Sequence, residues 1–153
     1  MRKRFEDERG WLEIKYEEGD ICIKSSYTYK GVIRGLHYQK EPLQQEKIIR
    51  VLEGKIIDLQ VDMEDKNTMT YMTMTDKDGW IKIDRKMAHG FYTLEDTTFE
   101  YVCIGKYDEK YEVSYNVVNA FENRFEHKIE KISEKDKSGE ELNIKKYAQY
   151  KKK

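Results

Sequence analysis

The sequence predicts an all-β fold, a barrel or double-sheet jelly roll, on three observations. β-Branched and aromatic residues recur in short blocks from Lys24 to about Tyr107. Polar turns carrying glycine punctuate those blocks. Between them lies no amphipathic segment of roughly 10–15 residues, which excludes the alternating strands and helices of a parallel α/β sheet.

Each element follows from its residues. Lys47 to Leu52 and Lys55 to Asp62 flank Glu53-Gly54, where glycine supplies the positive φ of a tight turn, so the two runs read as a hairpin. Thr68 to Thr75 (TMTYMTMT) and Trp80 to Ile83 read as strands parted by Asp76-Lys77-Asp78-Gly79. Phe99 to Lys106 is another, with Phe99, Tyr101 and Cys103 on one face and Tyr101 turned inward. Gly31 to Gln39 (GVIRGLHYQ) is extended, and strict alternation sets Ile33, Gly35 and His37 on one face and Arg34 and Leu36 on the other. Past about Glu126 lysine and glutamate dominate; Gly139 to Tyr147 reads as a short surface helix and the terminal Tyr-Lys-Lys-Lys as frayed.

Composition bounds the function. The 153 residues fit one domain, 1–153, with 126–153 as a charged C-terminal extension. Charged residues make up 39%, yet 12% aromatics argue for a packed core rather than a disordered polyelectrolyte. Lys plus Arg, 29, nearly balances Asp plus Glu, 30, so no global field draws the chain to nucleic acid or an anionic membrane. Any anion site is therefore local. MRKRFEDERG carries charge where a secretion signal needs an apolar run, so a soluble, cytoplasmic protein is expected. Cys22 and Cys103 show no metal-ligand spacing and read as reduced packing residues.

A lone histidine on a strand is ordinarily structural, and an inward tyrosine is ordinarily core. Four separated segments change that reading: GVIRGLHYQ, then Gln45-Glu46-Lys47, then Met87-Ala88-His89-Gly90-Phe91, then Glu100-Tyr101-Val102-Cys103. In order and spacing they resemble the dTDP-4-dehydrorhamnose 3,5-epimerase family, from roughly Asp7 to Asp136. The resemblance implies a cupin-like jelly-roll barrel with short peripheral helices, acting as a homodimer with residues 1–20 in the contact. It implies a nucleotide-diphosphate 4-keto sugar as ligand, and neither metal nor other cofactor.

By the same resemblance His37 is the catalytic base, Tyr101 the general acid and Asp136 the carboxylate partner of the histidine. Lys47 and Arg34 match cations of the substrate pocket, and His89 a polar residue lining it. Arg9 matches an arginine reaching the neighbouring subunit's diphosphate. Glu112 and Lys135 fall at the nucleotide end, and Tyr107 where the sugar is handled. Gln45 and Lys24 complete the substrate contacts. Cys22 and Lys24 stand where the family usually carries Gln and Asn, which leaves the nucleotide open.

The chemistry suits these groups. A C–H beside a ketone is acidic because the carbanion spreads onto oxygen as an enolate, and in a 4-keto hexose both C3 and C5 flank that ketone. Inversion needs a base on one face and an acid on the other. Imidazole, with a pKa of about 6.5, suits the base, and phenol, at about 10, suits the acid. Lys47 is placed to hold the enolate oxygen, and Arg34 and Arg9 to grip diphosphate. Three alternatives remain open at this point: a single-carbon epimerase or ketoisomerase on the same barrel, a metal-dependent cupin using His37, His89 and Glu46, and a non-catalytic carbohydrate-binding barrel. Position 39 is Gln, so the usual His-x-His of metal cupins is missing.

Overall fold

The computed structural model describes residues 3–150. In chain order its elements are β1 (Lys3–Asp7), β2 (Gly10–Glu18), β3 (Ile21–Thr28), β4 (Ile33–Gln39), β5 (Glu46–Glu53), β6 (Lys55–Asp62), β7 (Thr68–Thr75), β8 (Ile81–Ile83), β9 (Met87–Thr93), β10 (Thr97–Ile104), β11 (Glu112–Asn116), α1 (Val118–Phe125), α2 (Glu134–Lys137), β12 (Glu140–Glu141) and β13 (Lys146–Gln149), with short 3₁₀ turns at Asp76–Asp78 and Glu109–Tyr111. One sheet runs β1-β2-β3-β10-β5-β8 and the other β12-β11-β4-β9-β6-β7-β13. The two sheets curl against each other as a cupin-like half-barrel, the fold class expected.

Sequence alternation explains the layers. On β6, Ile56 faces the interior between the sheets, whereas Ile57, Leu59 and Val61 face outward into a second core. The interior core joins Ile49 and Val51 of β5, Met72 and Met74 of β7, Phe91 of β9 and Phe99 of β10. The outer core packs β6 residues with Ile33, Leu36, Tyr92 and Tyr115 beneath Ala120 and Phe121 of α1 and beneath Leu142. A strand with both faces covered reads as a continuous apolar run, as KIIDLQV nearly does. The interior core fills only part of the space between the sheets and leaves a cavity walled by Phe91 and Phe99 beside polar side chains.

Three expectations change. β5 and β6 lie in different sheets, so they form a corner and not a hairpin. Only Gly54 separates them, too little for a two-residue hairpin loop, and its φ of 105° turns the chain from one sheet to the other. A Cβ there would meet Asp96 O at 2.5 Å, so the corner needs glycine. Second, Gly139 to Tyr147 is not helical. Glu140–Glu141 pairs parallel with β11 and Lys146–Gln149 parallel with β7, while Leu142 is buried in the outer core. Edge pairing and burial outweigh local helix preference. The peripheral helices are instead α1 and α2.

Third, β4 does not alternate strictly. Its register with β9 shifts between Arg34 and His37. Arg34 and His37 consequently line one cavity, while Ile33 and Leu36 share the outer core. Gly35, at φ 104°, makes the kink. The charged stretch from Glu126 is woven into the fold over its described part: Val32 bridges to Lys131, and Tyr150 N–H donates to Tyr71 O at 2.6 Å. Of the terminal Tyr-Lys-Lys-Lys expected to fray, Tyr150 is instead held by that bond and packs on the interior core, and residues 151–153 lie outside the described residues. Both cysteines are free, opposite each other on β3 and β10.

Candidate active site

A cavity of about 260 Å³ opens between the sheets, lined from one side by Leu12, Ser26, Lys47, Phe99 and Tyr101 and from the other by Arg34, His37, His89, Gly90 and Phe91. Arg9 and the turn bearing Ser133, Lys135 and Asp136 complete it. Of the residues expected from the sequence, the structure thus gathers His37, Tyr101, Asp136, Lys47, Arg34, Arg9, His89 and Lys135 around one space.

Asp136 arrives from α2. Ser133 caps that helix, its hydroxyl accepting from Asp136 N–H at 3.1 Å, which turns the carboxylate inward. Asp136 is fully buried. Its Oδ1 accepts from His37 Nε2 at 2.7 Å and its Oδ2 from Gly35 N–H at 3.0 Å. Burial works against its ionisation, but the His37 hydrogen bond and charge and the Gly35 amide prevail, holding the carboxyl below its ordinary value. With Nε2 committed to Asp136, Nδ1 is the nitrogen free to take a proton.

Tyr101 stands on the opposite sheet, its ring 5.7 Å from that of Phe99. Burial pushes its phenol up to about 12, against the opposing charges of Lys24 and Arg34, so it is held protonated. Lys47 faces the same space from β5, and burial pulls its ammonium down. Arg34 donates from Nε to Thr28 Oγ1 at 2.8 Å, yet its buried Nη2 has no partner among the described residues, nor has Ser26 Oγ. Two unsatisfied polar groups at one cavity are a ready anchorage for a polar ligand.

The remaining calls are placed differently. Arg9 lines the cavity of its own chain and is bound to Asp7 at 2.7 Å, where the resemblance has it reaching a neighbour. Lys135 pairs with Glu112, which lines a small recess with His37, Gln45 and Lys47. Gln45, Lys24 and Tyr107 line a separate hollow of about 420 Å³ and not the main cavity. Lys24 Nζ sits 5.7 Å from the Tyr101 ring centre and 5.8 Å from that of Tyr107.

Sequence reasoning missed Asp58, whose Oδ1 is 2.6 Å from His89 Nε2 and whose Oδ2 accepts from Gln60 Nε2 at 3.0 Å. This second dyad is buried, with His89 5% and Asp58 2% exposed. Alternation along β6 was the available signal, since it sends Asp58 to the interior face. Ser26, Phe91 and Phe99 were also unassigned. The metal alternative finds no group of three or more donor side chains placed to hold an ion among the described residues, and Glu46 pairs with Lys82 at 3.4 Å.

Comparison with known proteins identifies the family. A dTDP-4-dehydrorhamnose 3,5-epimerase from Methanothermobacter thermautotrophicus is 32% identical over 120 residues, which are 67% of this chain and 64% of that protein. One from Shigella flexneri is 36% identical over 111 residues, 61% of each chain. The chain thus spans less than two thirds of the length of these curated relatives. Among solved structures, dTDP-6-deoxy-D-glucose-3,5-epimerase from Legionella pneumophila, in complex with dTDP-4-keto-L-rhamnose, superposes with a TM-score of 0.69 at 25% identity, covering 93% of this chain and 85% of that one. The dTDP-4-dehydrorhamnose 3,5-epimerase family model matches residues 1–143, and this chain belongs to that family.

Proposed function

We propose that the chain is a cofactor-independent epimerase that inverts C3, C5 or both in a nucleotide-diphosphate 4-keto-6-deoxy sugar. One observation carries the reading: the His37–Asp136 dyad and the Tyr101 phenol line one cavity from opposite sheets, with Lys47 and Arg34 beside them. Family membership and the relatives' epimerase names support it.

In this reading His37 Nδ1 removes the proton beside the ketone, and Asp136 stabilises the imidazolium that forms. The electron pair moves onto the ketone oxygen, which Lys47 holds as an enolate. Tyr101 returns a proton from the opposite face, and solvent resets both groups. Arg34, with an N–H₂ to spare, and Arg9 grip the diphosphate. The ketone itself acidifies the C–H bond, so the step calls on no nicotinamide, flavin or metal.

A homodimer belongs to the same proposal, with residues 1–20 in its contact. Strand β1 is exposed along its whole length at the edge of its sheet, and Phe5 is 57% exposed. A soluble, cytoplasmic, single-domain enzyme belongs to the same proposal; among the described residues no helix is long and apolar enough to cross a membrane.

The test is incubation in deuterium oxide with dTDP-, GDP- and CDP-linked 4-keto-6-deoxy sugars, read by proton NMR. Deuterium entering C3 or C5 with inversion supports the proposal and names nucleotide and carbon. No exchange with any of the three defeats it.

A further inference from the structure

Lys24 places a largely buried cation beside the Tyr101 ring. It sits on β3 directly opposite Tyr101 of β10. Its ammonium lies 5.7 Å from the Tyr101 ring centre, and it forms no ion pair with a carboxylate among the described residues. On the same face of the sheet as Tyr101, it lines the neighbouring hollow with Tyr107 and not the cavity that holds His37. A substrate contact from the main cavity is therefore not its evident task.

We infer that Lys24 acts through Tyr101, as a positioning residue whose charge makes the phenol a usable acid for the second half of the reaction. This rests on the proposed epimerisation. Once Tyr101 has given up its proton it is a phenolate in a buried place, and only neighbouring positive charge makes that state accessible. The groups that bear on it are Lys24 and Cys22 from β3, Cys103 from its own strand and Arg34 from β4. His37, His89 and Asp136 line the same cavity, as does Lys47 of β5.

Cys22 and Cys103 are free cysteines and bring no positive charge to a phenolate. Arg34 helps, but its unpartnered Nη2 faces the site where diphosphate is proposed to bind, and a bound dianion cancels that help. Lys24 does not line the cavity where Arg34 is proposed to hold the diphosphate, and its ammonium lies 5.7 Å from the Tyr101 ring centre. Among the four groups it is the cation that remains for the acid step.

The inference separates from a substrate-binding role for Lys24. A binding role raises KM and leaves kcat alone; an acid-tuning role lowers kcat at constant KM. It also separates the two halves of the reaction, because the enolate forms normally but is reprotonated more slowly from the Tyr101 side. It then returns through His37 and picks up solvent deuterium without inverting.

The experiment compares wild type, Lys24→Met and Lys24→Arg. Lys24→Met is expected to lose about 10-fold or more in kcat, the equivalent of one pKa unit on the acid. Its ratio of deuterium wash-in to inversion rises, and Lys24→Arg restores both. A rise in KM alone, or equal losses of wash-in and inversion, overturns the inference. A second measurement needs no turnover: 3,5-difluorotyrosine at position 101, titrated by ¹⁹F NMR with and without Lys24→Met. The phenol is expected to titrate about one unit higher without Lys24; an unchanged titration overturns the inference. If wild type exchanges no deuterium while the fluorinated phenol shifts as expected, the epimerase reading has failed and the Lys24–Tyr101 coupling stands.

Discussion

Gly35 and Gly90 meet across β4 and β9 so closely that neither has room for a side chain. A Cβ on Gly35 would lie 2.7 Å from His89 O, and one on Gly90 would lie 2.3 Å from Arg34 O. The contact lets β4 kink between Arg34 and His37, and the kink turns both side chains into the cavity. Gly35 also supplies the amide that orients Asp136.

Gly35→Ala is therefore expected to destabilise the fold and to remove activity. At a φ of 104° the alanine is strained by roughly 1–3 kcal/mol before the clash is counted. Thermal or urea denaturation beside turnover checks this; an alanine variant with unchanged stability and activity would show that the close approach is dispensable.

Asp136→Asn is expected to keep the cavity but cost about 10²–10⁴ in kcat, because the imidazolium loses its buried counter-charge. The same aspartate gives a pH signature. Its folded pKa is depressed, so the unfolded chain binds the proton more readily, and the stabilisation is full above the unfolded value of about 3.9. It is lost as pH falls below that, through the depressed folded pKa. Acid titration of stability should be flatter in Asp136→Asn than in wild type.

Tyr101→Phe is expected to block inversion while leaving some deuterium wash-in through His37. At alkaline pH the sign reverses from that of Asp136. The folded phenol is raised to about 12, above its ordinary 10, so its contribution is full below about pH 10 and lost as pH rises through 12. Tyr101→Phe should soften the alkaline loss of stability, as followed by circular dichroism.

Phe121→Ala should cost about 3–5 kcal/mol, since the ring is fully buried in the outer core. Its ring lies 4.6 Å from that of Tyr92 on β9, so its loss loosens α1 from the sheet that carries β4 and β9. Denaturant midpoints measure the loss.

The all-β fold was legible because strand residues and turn residues separate along the chain; TMTYMTMT became β7 with the expected ends. The lining of the candidate cavity was legible because motif and spacing bring His37, Lys47, His89 and Tyr101 into recognisable order, and these four do line one cavity. What failed depends on partners distant in sequence. Gly54 reads as a hairpin turn until β5 is seen to pair with β10 and β8. Arg34 and His37 fall on opposite faces until the bulge against β9 is known. The residues near Gly139 look helical until β11 and β7 offer them strand partners. Asp58 carries no mark of its pairing with His89, which lies 31 residues away.

Crystals soaked with a nucleotide-linked 4-keto sugar test the central claim most directly. The sugar ring is expected between His37 and Tyr101, with Nδ1 on one face, the phenol oxygen on the other and the ketone oxygen toward Lys47. A ring seated elsewhere, in the hollow beside Tyr107 for instance, or one with base and acid on the same face, would contradict the account.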